Sequence, residues 1–267
     1  MSKKTGGLAD VQSLPDDRNI DLKKVGIKNI RYPITVLDKA KGTQQTVGSI
    51  NMYVNLPHCF KGTHMSRFIE ILNQYRREIN VTTFKKILAE MKERLNAEEA
   101  HLEVDFPYFI EKKAPITGTP GLMEYNCGLH GTLKERLDMV LVARVPITTV
   151  CPCSKEISNY GAHNQRGEIR VWVRFDTFLW LEDIIELAEQ SGSCEVFSVL
   201  KRPDEKYVTE QAFDMPMFVE DVVRNVCQKL QKMKGVTWFE VEGETFESIH
   251  NHSAYASTSM SIQKSTL

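Results

Sequence analysis

Two stretches of this chain run through the same order of elements, strand-strand-helix-helix-strand-strand, and that order restricts the fold more than any single residue does. In the first, Ile30, Tyr32 and Ile34 alternate. Val47, Ile50, Met52 and Val54 mark a second strand beyond a turn at Lys41-Gly42. Phe68, Ile71, Leu72, Tyr75 and Ile79 then recur at helical spacing behind Ser66, the expected N-cap. A second helix opens near Thr82, with Phe84, Ile87, Leu88, Met91 and Leu95 on one face. Strand-like runs near 101–112 and 121–133 flank the turn Thr117-Gly118-Thr119-Pro120-Gly121.

The second stretch repeats the sequence of elements. Met139, Leu141, Ala143 and Val145 alternate, and Ile169, Val171, Val173 and Phe175 alternate against Glu168, Arg170, Trp172 and Arg174. Helices are expected near 178–190 and 217–233, the latter with Val219, Val222, Val223, Val226 and Leu230 on one stripe. Closing strands are expected near 236–242 and 246–256, with Gly243 in the turn. The repeat is one of element order, not of residue identity. Short connections favour antiparallel neighbours, so each half is expected to be a small antiparallel sheet with paired helices on one face, an α+β design. The other sheet faces need cover, and assembly into a multi-subunit barrel would provide it.

With 267 residues the chain can bury a core without disulfides or metal. Hydrophobic residues at 42% and charged residues at 26% exclude a disordered or collagen-like protein. The net charge of −1 lacks the basic excess expected of a nucleic-acid-binding domain. No apolar run reaches the roughly 18 residues of a membrane span. Residues 1–12 lack the apolar centre of a secretory signal. The expectation is a cytoplasmic protein with reduced thiols and neither nucleic-acid nor membrane partners. Residues 1–25 are polar and rich in turn formers, and are expected to form a flexible arm ahead of modules at 26–135 and 136–267.

Of six cysteines, only Cys151 and Cys153 lie close together, in Cys151-Pro152-Cys153-Ser154 after a strand ending near Val150. Thiolates are strong ligands for borderline metals and good nucleophiles. His163 follows in the loop Gly161-Ala162-His163-Asn164-Gln165, and a cysteine and histidine so spaced can share an ion if a third ligand comes from elsewhere. His250 and His252, two apart on an expected strand, project from one face as a metal site or an acid/base pair. Glu205 lies in the charge run Arg202-Pro203-Asp204-Glu205-Lys206, whose default is a solvated loop. Glu220 falls in the first turn of a helix, one residue off its apolar stripe, where it complements the helix dipole and can border a pocket. Lys61-Gly62-Thr63-His64-Met65-Ser66-Arg67 leads into a helix with cations and free amide donors, a candidate phosphate cradle.

These segments together resemble GTP cyclohydrolase I of the prokaryotic type IB class. The resemblance rests on Cys151-Pro152-Cys153-Ser154-Lys155-Glu156-Ile157-Ser158, on Gly161 to Gln165, and on Glu247-Ser248-Ile249-His250-Asn251-His252. Leu56-Pro57-His58 with Lys61 to Arg67, and Arg202 to Lys206 with Thr209-Glu210, add to it, and the likeness runs from about residue 26 to 258. It implies a tandem tunnelling fold, two ββααββ modules per chain, and a homotetramer with active sites at subunit interfaces. It implies GTP as substrate, with formate and 7,8-dihydroneopterin triphosphate as products. It implies one divalent zinc, manganese or iron ion held by Cys151, His163 and Glu205, a catalytic Cys153, a purine-anchoring Glu220 in a buried position, and paired active-site histidines at His250 and His252. Lys61, His64 and Arg67 are then the candidates for the triphosphate. Two other readings compete. One is the tunnelling-fold nitrile reductase of the queuosine pathway, which uses NADPH and no catalytic metal. The other is a non-catalytic metal-binding module.

Overall fold

A computed structural model describes residues 12, 14, 16–75 and 79–262. The remainder of the expected N-terminal arm lies outside the described residues. The first element, β1 (Leu22–Asp38), begins within the stretch read as that arm. It is followed by β2 (Gly42–Leu56), α1 (Met65–Tyr75), α2 (Val81–Arg94), β3 (Ala100–Lys113) and β4 (Pro120–Leu133). The chain continues through β5 (Leu137–Val150), α3 (Pro152–Ile157), β6 (Asn164–Phe175), α4 (Leu181–Glu189), α5 (Arg202–Asp214), α6 (Val219–Lys232), β7 (Val236–Thr245) and β8 (Ala254–Ser261). The strands hydrogen-bond in chain order, β1 to β8, in one eight-stranded sheet. The pairs from β5 to β8 are antiparallel, with Val145 opposite Ile169 and Val171 opposite Val241.

The described residues divide into two compact units. One takes those up to Leu37, Thr43–Val104 and His130–Asp138; the other takes Asp38–Gly42, Asp105–Leu129 and those from Met139 on. In the first unit the apolar stripes expected for two helices are buried: Phe68, Ile71 and Leu72 on α1, and Phe84, Ile87, Leu88 and Met91 on α2. Helix α2 presses on β4 so closely that a Cβ at Gly131 would stand 2.5 Å from the Phe84 ring. α1 opens at Met65, so Ser66 lies inside the helix and is not its cap.

In the second unit Val222, Val226 and Leu230 of α6 are fully buried, as are Ile169, Val171 and Val173 of β6 and Phe239 and Val241 of β7. Here the expected turn at Gly243 is replaced by continuous strand. Gly243 sits inside β7 because α6 crosses it: an added Cβ would stand 2.8 Å from Val223 Cγ2 and 2.9 Å from Val219 Cγ2. The glycine serves close approach of helix to strand, which looks like a turn signal in sequence. The last strand accordingly starts at Ala254, not near 246. Two helices were not expected, α3 and α5, and both stand at the candidate site.

Replacing Gly243 with alanine must push α6 outward. Gly243→Ala is expected to lower unfolding free energy by about 1–3 kcal/mol in urea denaturation, the usual penalty of overpacking. An unchanged midpoint would contradict the close packing of α6 on β7.

Candidate active site

The end of β5 is held from three sides. Ser193 N–H donates to Thr148 O at 2.9 Å, Ser193 Oγ accepts from Val150 N at 3.2 Å, and Met217 N–H donates to Val150 O at 3.0 Å. The next residue, Cys151, donates its N–H to His163 O at 3.1 Å, so the two candidate ligands are joined through the backbone. Ser154 Oγ ties the same two residues again, donating to Cys151 O at 3.2 Å and accepting from His163 N at 3.2 Å. The segment expected to be a turn is the start of α3. Cys151 is its N-cap, its sulfur accepting from Ser154 N at 3.5 Å. Pro152 stands in the first turn, where a missing N–H leaves nothing unsatisfied. Cys153 is exposed on that turn, whereas Cys151 is half-buried.

His163 is half-buried, just before β6. Its Nδ1 lies 2.9 Å from Gln165 Oε1 and 3.4 Å from Ser248 Oγ. Among the described residues its Nε2 has no hydrogen-bond partner.

The charge run around Glu205 is helix, not solvated loop. Asp204, fully buried, accepts from Lys201 N at 2.9 Å, Ile116 N at 2.8 Å, Thr117 N at 2.9 Å and Thr117 Oγ1 at 2.7 Å. Burial alone would raise its pKa, but the donors from Thr117, Lys201 and Ile116 outweigh it and hold the carboxyl down at about 2. The anchored helix then lays Val208 and Ala212 against Val150, Cys194 and Ala162. Glu205, Val208 and Ala212 share one helical stripe, so Glu205 is carried on the face that meets the residues beside Cys151 and His163. Its carboxylate is exposed.

A cavity of about 260 Å³ opens at this end of the unit. Cys151 and Gln165 form part of its wall, and Met217 to Glu220 another. Glu220 is exposed at the start of α6, not buried as expected. His250 and His252 also line it, from an exposed loop between β7 and β8, not from a strand. Their rings nonetheless stack, with centroids 5.1 Å apart and planes 19° from parallel. Glu247 also lines the cavity, its Oε1 accepting from Thr245 Oγ1 at 2.8 Å. In sequence, Gln165 and Glu247 stand out only as parts of longer motifs. Their placement at strand ends next to His163 and Thr245 was the signal available.

Lys61, His64 and Arg67 belong to the first unit. His64 and Arg67 line a depression of about 130 Å³, where Arg67 Nη1 donates to Arg94 O at 2.8 Å. Two of the expected free amides are taken: Lys61 N–H donates to Leu14 O at 2.9 Å and Gly62 N–H to Gln12 O at 3.1 Å.

Among the described residues, no three His, Cys, Asp or Glu side chains are gathered into a ready-made metal cluster. The set Cys151, His163 and Glu205 nevertheless fits a divalent ion by its chemistry, a thiol, an imidazole and a carboxylate. His163 in particular has one ring nitrogen engaged and the other uncommitted, the usual condition of a ligating histidine.

Comparison with known proteins assigns the family. The model described as type I GTP cyclohydrolase folE2 matches residues 8–256. The proteins named GTP cyclohydrolase FolE2 from Syntrophus aciditrophicus and Syntrophobacter fumaroxidans are each 60% identical, covering 93% of this chain and 98% of their own length. Among solved structures, urate oxidases from Arthrobacter globiformis and Bacillus sp. TB-90 superpose with TM-scores of 0.51 and 0.52 at 7% and 8% identity. They cover 92% and 91% of this chain, and 94% and 100% of their own. At that identity they bear on fold alone and agree with an α+β tunnelling fold. The chain belongs to the type I GTP cyclohydrolase FolE2 family.

The Asp204 network carries a pH signature. Its folded pKa is depressed, so the stabilisation it gives is complete above about pH 3.8 and is lost as pH falls through about 2. Asp204→Asn puts an amide N–H₂ against donors, and is expected to lower the thermal midpoint at pH 7. The gap to wild type should narrow as pH falls from about 4 towards 2. A gap that is constant over that window would contradict the ionised, donor-saturated Asp204.

Proposed function

We propose that this chain opens the imidazole ring of GTP by hydrolysis, releasing formate and forming 7,8-dihydroneopterin triphosphate. Family membership carries the reading, supported by a cavity that brings Cys151, Glu220, His250 and His252 to one wall-to-wall space. Water adds at C8, the ring opens, and a second water releases formate. The ribose portion then rearranges, and closure of the six-membered ring loses one water, so one water is consumed overall. A divalent zinc, manganese or iron ion held by Cys151, His163 and Glu205 would supply water activated at neutral pH, with one coordination position left open.

The other residues take roles that their positions allow. The Glu220 carboxylate accepts from guanine N1–H and the 2-amino group together, a pattern adenine cannot offer. His250 and His252, stacked on the cavity wall, move protons during ring opening and closure, since an imidazole can both give and take a proton. Cys153, exposed on α3 beside Cys151, acts with them. Lys61, His64 and Arg67 hold the triphosphate at the site of a neighbouring subunit in a homotetramer. The family match favours this reading over the nitrile reductase and over a metal-binding module.

Protein reconstituted with zinc, manganese or iron and given GTP is expected to release formate and, after oxidation, to show neopterin fluorescence. Glu220→Gln should lower kcat/KM for GTP roughly 10- to 100-fold, the worth of hydrogen bonds to a charged acceptor. Absence of both products with every metal tried would contradict the proposal.

A further inference from the structure

Gln165 is a buried polar residue with both ends of its amide engaged. It stands directly opposite Thr149 in the β5–β6 register, and its Nε2 donates to Thr149 Oγ1 at 3.0 Å. Gln165 is 9% exposed and Thr149 0%, so solvent does not compete for this pair. The other end, Oε1, lies 2.9 Å from His163 Nδ1. Residues 163 and 165 are two apart on extended chain, which puts both side chains on one face. In this orientation the amide nitrogen faces the threonine and the amide oxygen meets the imidazole, and that oxygen can only accept. His163 Nδ1 then carries the proton and Nε2 keeps its lone pair.

We infer that Gln165, held by Thr149, is a positioning residue that fixes His163 in the Nδ1–H form and presents its Nε2 lone pair to a divalent ion. The ion-presenting half rests on the ligand role proposed for His163; the tautomer half rests on the orientation of the Gln165 amide between Thr149 and His163. A ring without this partner would exchange its proton between the two nitrogens and turn freely, and in the Nε2–H form it could not ligate through that atom. The more distant Ser248 hydroxyl, at 3.4 Å, can accept or donate and so cannot impose a tautomer by itself.

The test begins on metal-free wild-type protein labelled with ¹⁵N-histidine. Long-range ¹H–¹⁵N correlation, with the His163 signal identified by its loss in His163→Gln, should show a protonated Nδ1 and an unprotonated Nε2. The reverse pattern, or an even mixture, would overturn the inference. Thr149→Val, nearly isosteric, should release the amide and produce a mixture of the two forms; an unchanged spectrum would count against the threonine's part. Zinc affinity, measured by competition with a chromophoric chelator, should fall roughly 10- to 100-fold in Gln165→Leu, as for loss of a partner behind a ligand. Gln165→Glu keeps the acceptor and should bind zinc at least as tightly as wild type. Undiminished affinity in Gln165→Leu would overturn the positioning role. Undiminished affinity in His163→Ala would instead sink the ligand assignment, with the tautomer still read independently.

Discussion

A single buried carboxylate organises the site. Asp204 gathers two backbone amides and a hydroxyl from the β3–β4 turn and one amide from the start of its own helix. A carboxylate so enclosed is tolerable only because each donor replaces a lost hydration contact. The result is a helix whose first turn is pinned at a fixed point. Val208 and Ala212 then have one surface to pack on, the patch made by Val150, Cys194 and Ala162. Glu205, next in sequence to the anchor, is thereby carried on the same helical face as Val208 and Ala212. Anchor and candidate ligand are adjacent, so a shift of one is a shift of the other.

The same logic recurs at the other walls. Cys151 caps α3, and the backbone of His163 closes onto it, so two candidate ligands twelve positions apart are held by main-chain hydrogen bonds and one serine. Glu220 rides on the first turn of α6, whose position is set by close contact with Gly243 of β7. Cys151 and Glu220 therefore sit at the ends of elements, β5 and α6, whose middles are fixed by burial. The ends stay accessible, as substrate binding requires, while the packed middles set where those ends point.

Much of the architecture was legible in the sequence, for a physical reason. Long strands such as β6 alternate strictly, and α6 keeps its valines on one stripe, so both faces of each element are declared by period alone. Helix α5 was not legible in that way, because its apolar residues do not form one stripe: Val208 and Ala212 pack on the core while Tyr207 and Phe213 are exposed. Its start could have been read from Pro203 followed by Asp204 and Glu205, the pattern of a helix first turn. Gly243 misled because a close approach and a turn call for the same residue. His250 and His252 were assigned a shared face by strand geometry. They reach stacking distance through a loop instead, which spacing rules do not describe. The contribution of Gln165 was hidden for another reason: it depends on which residue lies across the ladder, and a single chain read in order does not reveal register.

The central claim is that Cys151, His163 and Glu205 together hold one divalent ion and leave it open to solvent. X-ray absorption at the zinc edge of protein loaded with one equivalent of zinc measures that shell directly. The account predicts a single sulfur at about 2.3 Å with nitrogen and oxygen scatterers at about 2.0–2.2 Å, one imidazole among them, and loss of the sulfur in Cys151→Ser. A shell without sulfur, or one closed by two sulfurs, would contradict it.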